Sequence, residues 1–376
     1  MTAVHLVSGA TGFVGGAIIL ELVETTEDEL ICLVRPGAEG DARGRFESAV
    51  RRAATAYAKE HLVDATLKRS RVLPADITDP LCGVSSAEVS AVSHVWHAAA
   101  SLAFENEKVE EIRLHNVTGT RSVVELAHAC GAQTFNYIST AYVAGTREGV
   151  IKEELPAGHT DVNNEYERSK VDAELIVADS GFDRLRILRP SIVVGHSLTY
   201  GATAFAGMYG FTKNLRDLQR EVTKRLGNFL SLRPLRVRAD PTAPLNLIPI
   251  DVLARNLVTI GVSDSDASIF HLTNAAPPPV GGAVRVVFDA LGLRRPRYVN
   301  NDAEFTSIDR EVDDRLEFYR SYIGTHKQFD RTNADAVTGS DAASAPLSTE
   351  TLVSLVDWHL SYLLSRRARA SAGDVR

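Results

Sequence analysis

The sequence predicts an α/β fold: a Rossmann-type doubly wound parallel sheet with a smaller, mostly helical C-terminal substrate-binding subdomain. Three observations predict it. The chain opens on a β-rich run, a glycine turn and an apolar helical pattern. Strand and helix patterns then alternate to about residue 195, the signature of repeated βα units. Beyond Gly195 the alternation stops and the apolar residues fall at helical spacing.

Residues 4–7 read as the first strand, Gly9-x-x-Gly12-x-x-Gly15 as a turn, and Ile18, Leu22 and Val23 as one helix face. Glycines at this spacing turn the chain tightly and let its backbone approach a pyrophosphate, while the helix behind points N–H groups at the phosphates. Thr11, Phe13 and Val14 complete this candidate dinucleotide turn. Residues 30–34 form a second strand, 43–67 a charged helix, 71–76 a third strand and 92–99 a fourth. A helix over 109–129, a strand over 134–138, a helix over 165–178 and a strand over 185–194 follow. Such units give a parallel sheet with right-handed crossovers, and ligands bind beyond the carboxyl ends of its strands.

Met208, Phe211, Leu215, Leu218, Val222 and Leu226 mark an amphipathic helix. Residues 246–250 read as a strand returning to the sheet, and 268–272 as another. Phe305, Ile308, Val312, Leu316, Tyr319 and Ile323 mark a second amphipathic helix. Residues 332–346, rich in Ala, Ser, Asp and Gly, read as a mobile loop. Ser348 is placed to cap a last helix over 351–365, with a frayed tail from Arg366. The expected division is a dinucleotide-binding unit over 1–197, with return segments at about 246–275, and a substrate unit over 198–245 and 276–376.

A formal net charge of −7 argues against a general nucleic-acid binder. Cys32, Cys82 and Cys130 are widely spaced and form no metal-ligand pattern, so no metal is expected and a reducing cytoplasm is. The apolar N-terminus lacks the basic region of a signal peptide, and no run reaches the ~18 apolar residues of a transmembrane segment.

Polar residues gather at the predicted strand ends. Arg35 ends the second strand, where an acidic residue would hold a ribose 2′-OH; a guanidinium suits a 2′-phosphate instead. Arg45, and secondarily Arg43, stand on the next helix as further contacts. Asp76 and Ile77 end the third strand and are placed to border an adenine. Ala98, Ala99 and Ala100 are small enough to let backbone meet a cofactor. Tyr166 and Lys170 share one helix face at i and i+4. An ammonium beside a phenol favours the phenolate and brings its proton within catalytic reach.

These features together resemble the extended short-chain dehydrogenase/reductase superfamily. The matching segments are Gly-Ala-Thr-Gly-Phe-Val-Gly at 9–15, His-Ala-Ala-Ala at 97–100, Asn-Val-Thr-Gly-Thr at 116–120, Tyr-Ile-Ser-Thr-Ala-Tyr-Val at 137–143, Tyr166-x-x-x-Lys170, Leu-Arg-Pro-Ser-Ile at 188–192 and Ile-Pro-Ile-Asp at 248–251. Cys-Leu-Val-Arg-Pro at 32–36 and the Lys170-x-x-x-Glu174 continuation look most like the thioester-reductase and male-sterility fatty acyl-CoA reductase branch. The resemblance implies NADP(H), with Thr140, Tyr166 and Lys170 as the catalytic set and Ser139 as the alternate for Thr140. The run Ala-Tyr-Val-Ala-Gly at 141–145 favours Thr140. Asn116, Pro190 and Ile192 are carried over as cofactor-side residues, and Lys170 as a ligand of the nicotinamide ribose. The implied substrate is an acyl thioester delivered in trans; a free-carbonyl dehydrogenase, a nucleotide-sugar epimerase and a non-catalytic NADP sensor are the rivals.

Other polar residues have plainer readings. His94 and His97 flank Trp96 on a strand, without partners spaced for a metal. Tyr142 packs or lines a pocket, and His196 is a secondary candidate for facing substrate. Residues 211–238 hold eight basic side chains against Asp217 and Glu221, a local excess of +6. Such a stretch is either a solvated helix face or a docking surface for an acidic carrier protein or coenzyme A.

Overall fold

The computed structural model describes residues 2–37, 41–103, 108–156 and 161–373, with side chains up to 366. Seven parallel strands form the main sheet: β1 (Val4–Ser8), β2 (Glu29–Val34), β3 (Ser70–Pro74), β4 (His94–His97), β5 (Thr134–Ile138), β6 (Arg184–Pro190) and β7 (Ile269–Leu272). Their order is β7-β6-β5-β4-β1-β2-β3. The order reverses between β1 and β4, where Ser8 lies beside His97, and the crevice at such a reversal is where this architecture takes ligands.

Both faces of the sheet are covered. The Phe13–Thr25, Ala42–Tyr57 and Ile250–Gly261 helices share one buried apolar cluster with Val7, Cys32 and Trp96. Val123, Leu126, Ala173 and Val177 pack with Leu6, Val95 and Phe135 on the other face. A third cluster, in the C-terminal half, joins the Met208–Leu226 and Val280–Ala290 helices to Leu352, Leu355 and Val356 of the last helix.

Several expected elements are interrupted, each for a local reason. The helix expected over 43–67 stops at Tyr57, because Ala58 is left-handed at φ 55°, and resumes as Val63–Arg69. The run from Val109 to Ala129 is helical throughout, but Leu114–Thr118 forms a π turn centred on Asn116. The strand expected over 185–194 divides after Pro190, and Ile192–Val194 leaves the main sheet. It pairs with Leu247–Pro249, so the 246–250 strand joins this separate two-stranded ribbon and does not return to the main sheet. The second amphipathic helix also breaks: Ser307–Arg315 ends, and Arg320 of the short Arg320–Ile323 helix folds back onto Asp313 at 2.7 Å.

Residues 332–346 are not the mobile loop their composition predicts. Thr332–Thr338 and Ser340–Ala343 are helical turns. Ala334 and Ala343 are buried, Asn333 Nδ2 donates to Ile269 O at 3.0 Å, and Asn256 Nδ2 donates to Ala342 O at 3.3 Å. Small residues here permit close packing against the sheet. The last helix, Thr349–Gly373, accepts the expected cap, with Thr351 N donating to Ser348 Oγ at 3.2 Å, but runs past Arg366 instead of fraying there. The final three residues of that tail lie outside the described ones. Among the described residues, no helix is long and apolar enough to cross a membrane.

Candidate active site

The glycine turn between β1 and the first helix presents bare backbone at the sheet crevice. Gly9 has φ +72°, and a Cβ there would lie 2.6 Å from Ala99 N. A Cβ on Gly15 would lie 2.2 Å from Gly9 O. Any side chain at either position would force β1, β4 and the helix apart. Gly12 caps the helix without a side-chain hydrogen bond, and no acidic residue stands in its first turn. The helix N-terminus is therefore free to meet an anion. Thr11 is half-buried in the same turn. This cradle fits the pyrophosphate of a nicotinamide dinucleotide.

The candidate 2′-phosphate site lies at the ends of β2 and β3. Arg35 is 58% exposed, with Nη1 4.0 Å from Asp76 Oδ2 and 3.4 Å from His115 Nε2. Arg45 donates to the Arg35 carbonyl and so braces the loop. Arg43 is committed elsewhere, to Glu47 at 2.9 Å and to the carbonyls of Ser70 and Leu67, both at 3.1 Å. Asp76 accepts from Thr78 N and Oγ1 and is held below the usual carboxylate range despite its partial burial. Ile77 packs under Gly119, where a Cβ would come within 2.8 Å of its Cδ1.

A single cavity of about 390 Å³ runs from this turn into the C-terminal half. Gly12, Phe13, Val14 and Gly15 line one end, with Ala98 and Ala100 beside them. Ser139, Thr140, Tyr166, Lys170, Pro190 and Ile192 line the middle. The expected residues outside its wall, Gly9, Thr11, Arg35, Arg45, Asp76, Ile77, Ala99 and Asn116, support the turn, form the β2–β3 loop cluster or stand behind the wall. The far end is apolar: Met208 and Phe211 from one helix, Val284 and Val287 from another, and Phe318 and Tyr319 from a third segment. The Val280–Ala290 helix is not among the elements expected from sequence, although Val280, Ala283, Val284 and Val287 fall at helical spacing.

Tyr166 and Lys170 stand on the Glu165–Ala178 helix, which starts where Asn164 Oδ1 accepts from Glu167 N at 2.9 Å. Lys170 Nζ is buried and donates to Ile138 O at 2.9 Å and to Tyr137 Oη at 3.2 Å. Burial lowers its pKa to about 8, against the opposing charge of Glu174. The expected depression of the Tyr166 phenol by Lys170 is not seen: burial, then the charge of Glu167, push it above its ordinary value. Tyr166 thus holds its proton, the form a proton donor needs. Asn116, on the π turn, accepts from Ser101 N at 2.8 Å and donates to Ser169 Oγ at 2.9 Å. Ser169 in turn donates to Tyr166 O at 2.7 Å, so Asn116 props that helix from behind. A π turn at such a position is a recurrent device of functional sites.

Thr140 and Ser139 are adjacent but occupied differently. Thr140 Oγ1 accepts from Tyr142 N at 3.2 Å and keeps its own O–H to donate. Ser139 Oγ donates to Glu174 Oε1 at 2.6 Å. Glu174 forms a fully buried pair with Arg189, at 2.9 Å from Nε to Oε1 and 2.7 Å from Nη2 to Oε2. Tyr142 lines the cavity, as its position predicts. His196 does not: it borders a small hollow beside Tyr57 and Asp251. His97 is buried between Ser8 Oγ at 2.7 Å and Thr120 Oγ1 at 3.1 Å, and burial lowers its pKa to about 3. His94 stacks on His5, centroids 4.8 Å apart. Among the described residues, no cluster of three or more His, Cys, Asp or Glu is placed to hold a metal.

The basic stretch over 211–238 is partly neutralised. Lys213 pairs with Asp217, Arg225 with Glu311, Arg236 with Asp309 and Arg238 with Asp313. Arg216, Arg220, Lys224 and Arg233 make no ion pair among the described residues, though one Arg220 nitrogen is buried without a hydrogen-bond partner.

Known proteins resemble this chain in sequence and in fold. A linear gramicidin synthase of Brevibacillus parabrevis is 25% identical over 72% of this chain, which spans only 5% of that protein. Human fatty acyl-CoA reductase 2 is 24% identical over 80% of this chain and 64% of its own length. The crystal structure of the terminal R domain from the myxalamid PKS-NRPS biosynthetic pathway has the same fold, with a TM-score of 0.74 and 23% identity over 97% of this chain and 91% of that one. The sequence model of the male sterility protein family matches residues 7–257. The chain belongs to that family.

Proposed function

We propose that this chain uses NADPH to reduce the carbonyl of an acyl thioester carried by coenzyme A or an acidic carrier protein, giving an aldehyde or an alcohol. The observation that carries the reading is the single cavity lined by the glycine turn, by Thr140, Tyr166 and Lys170, and by apolar side chains of the C-terminal half. An apolar wall continuous with reactive hydroxyls fits an acyl chain whose carbonyl stops at them. The relatives named for gramicidin synthesis and for acyl-CoA reduction support thioesters as the substrate class. Exposed Arg35 supports NADPH over NADH. Residues 1–197 with 246–275 would carry the cofactor, and 198–245 with 276–376 the substrate. A cytoplasmic location accords with three free cysteines, two of them buried.

A nicotinamide dinucleotide held by the Gly9–Gly15 turn would supply a hydride for the carbonyl carbon, whose π pair moves to oxygen. Thr140 and Tyr166 hydroxyls then hydrogen-bond the developing oxyanion. Tyr166 gives its proton to that oxygen, and the product is a hemithioacetal. Collapse breaks the C–S bond and re-forms C=O. In sum, a thioester, a hydride and a proton yield an aldehyde and a thiol. Lys170 would hold the nicotinamide ribose and return a proton toward Tyr166.

Octanoyl-CoA and NADPH test the reading, with nicotinamide absorbance followed beside free thiol trapped by a chromogenic disulfide. Thiol release in step with NADPH consumption is expected. Reduction of octanal or a ketone with no thiol released from the thioester would move the chain to the free-carbonyl class.

A further inference from the structure

Tyr322, on the Arg320–Ile323 helix, puts its ring in the wall of the cavity that holds Thr140, Tyr166 and Lys170. Its hydroxyl donates to Glu167 Oε1 at 3.2 Å. Glu167 directly follows Tyr166 on the first turn of the catalytic helix and is fully buried. Its other oxygen accepts from both N and Nδ2 of Asn163, each at 2.9 Å. The Tyr322 ring also meets the Tyr142 ring nearly edge-on, with centroids 4.5 Å apart and planes at 73°. Tyr142 is the residue whose amide donates to Thr140 Oγ1. One side chain of the C-terminal wall thus touches the supports of both Tyr166 and Thr140. A phenylalanine would pack equally well against Tyr142 and Phe318; the hydroxyl is what reaches the Glu167 carboxylate and the side chain of Asn164, the cap of the same helix. A buried carboxylate deprived of one of its few donors is costly, so this bond holds its register firmly.

We propose that Tyr322 is a positioning residue: its bond to Glu167 fixes the turn that carries Tyr166 against the wall that holds the substrate. The inference rests on the reductase reading of Tyr166. Its consequence is kinetic, because small misplacement of a proton donor slows the chemical step more than it weakens binding.

Tyr322→Phe is the test, with octanoyl-CoA and octanal as substrates and Tyr166→Phe measured in parallel. For Tyr322→Phe, kcat should fall about tenfold, with KM and the NADPH dissociation constant within about twofold of the parent. The primary isotope effect on kcat with 4-deuterated NADPH should rise, since the hydride and proton step becomes more nearly rate-limiting. A packing role alone would lower Tm and leave the isotope effect unchanged. Glu167→Gln weakens the same support by replacing the carboxylate acceptor with a neutral amide, and the Tyr322→Phe/Glu167→Gln pair should cost less than the product of the two single losses. If Tyr322→Phe does not fold, Glu167→Gln read by kcat and isotope effect decides. Wild-type kcat and isotope effect in Tyr322→Phe, with Tyr166→Phe inactive, would overturn the positioning role alone. An active Tyr166→Phe would overturn the reductase reading together with it.

Discussion

Ser139 borders the cavity but donates its hydroxyl to Glu174 Oε1 at 2.6 Å, which commits that hydroxyl to the buried Glu174–Arg189 pair. Thr140, one residue on, retains a donor. The two should therefore respond differently to mutation. Thr140→Val is expected to lower kcat by about 10²-fold, the typical effect of losing one oxyanion donor, whereas Thr140→Ser should retain most activity. Ser139→Ala should instead cost about 1–3 kcal/mol of stability, because it strips a donor from a buried carboxylate. Denaturant midpoints and kcat on the same preparations check this; a Ser139→Ala enzyme more impaired in kcat than Thr140→Val would reverse the assignment.

The parts of this site legible in sequence are those set by local chemistry. The Glu165–Ala178 helix and β5 span the residues their patterns predict. The glycine turn is legible because only glycine tolerates the backbone contacts at Gly9 and Gly15. The break after Pro190 is not, since β-branched residues continue on both sides and the new partner, Leu247–Pro249, is distant in sequence. The bond from Tyr322 to Glu167 joins residues 155 apart and leaves no local trace. Composition misleads at Thr332–Thr338, where small polar residues describe close packing as well as they describe a loop.

Lys170 predicts a pH dependence. Burial lowers its pKa from 10.5 to about 8, so the ammonium proposed to hold the ribose is present below that pH and lost above it. The alkaline limb of kcat/KM, which reports the free enzyme, should therefore fall through an apparent pKa near 8. Lys170→Arg, whose charge persists, should lose that limb whatever its absolute rate. A rate profile flat to about pH 10 in the parent enzyme would remove Lys170 from this role.

Arg35 should decide cofactor choice. Its guanidinium is exposed at the ends of β2 and β3, beside His115 and 4.0 Å from Asp76. A charge-assisted contact to a 2′-phosphate is worth about 1.5–3 kcal/mol, or about 10- to 150-fold in affinity. Arg35→Ala should weaken NADPH binding by that factor and NADH binding by less than about twofold. Arg45→Ala should act in the same direction but more weakly, because Arg45 braces the Arg35 carbonyl. Fluorescence titration of both cofactors measures it; equal affinities in the parent would rule out the 2′-phosphate reading.

The basic stretch tests how the thioester arrives. Pairing with Asp217, Glu311, Asp309 and Asp313 removes four of its eight cations from a docking role. Arg220 is a poor choice for mutation because part of its guanidinium is buried. Arg216 and Lys224 remain as cations without an ion pair among the described residues, on the same helix as the cavity-lining Met208 and Phe211. One unit-charge contact in water is worth about 1 kcal/mol at 4 Å, or about fivefold in binding. The double reversal Arg216→Glu/Lys224→Glu should raise KM for octanoyl-CoA, or for an acyl carrier protein, by at least that factor at low salt. It should leave kcat and the reduction of octanal unchanged, since octanal has no anionic handle. Added salt should close the gap, because exposed charges are screened within a Debye length of about 8 Å at physiological ionic strength. A reversal that leaves KM for both thioesters unchanged at low salt would reduce this stretch to a solvated helix face. The carrier would then have to reach the cavity past another surface, and the same substitutions made one at a time on other exposed cations near the cavity mouth would locate it.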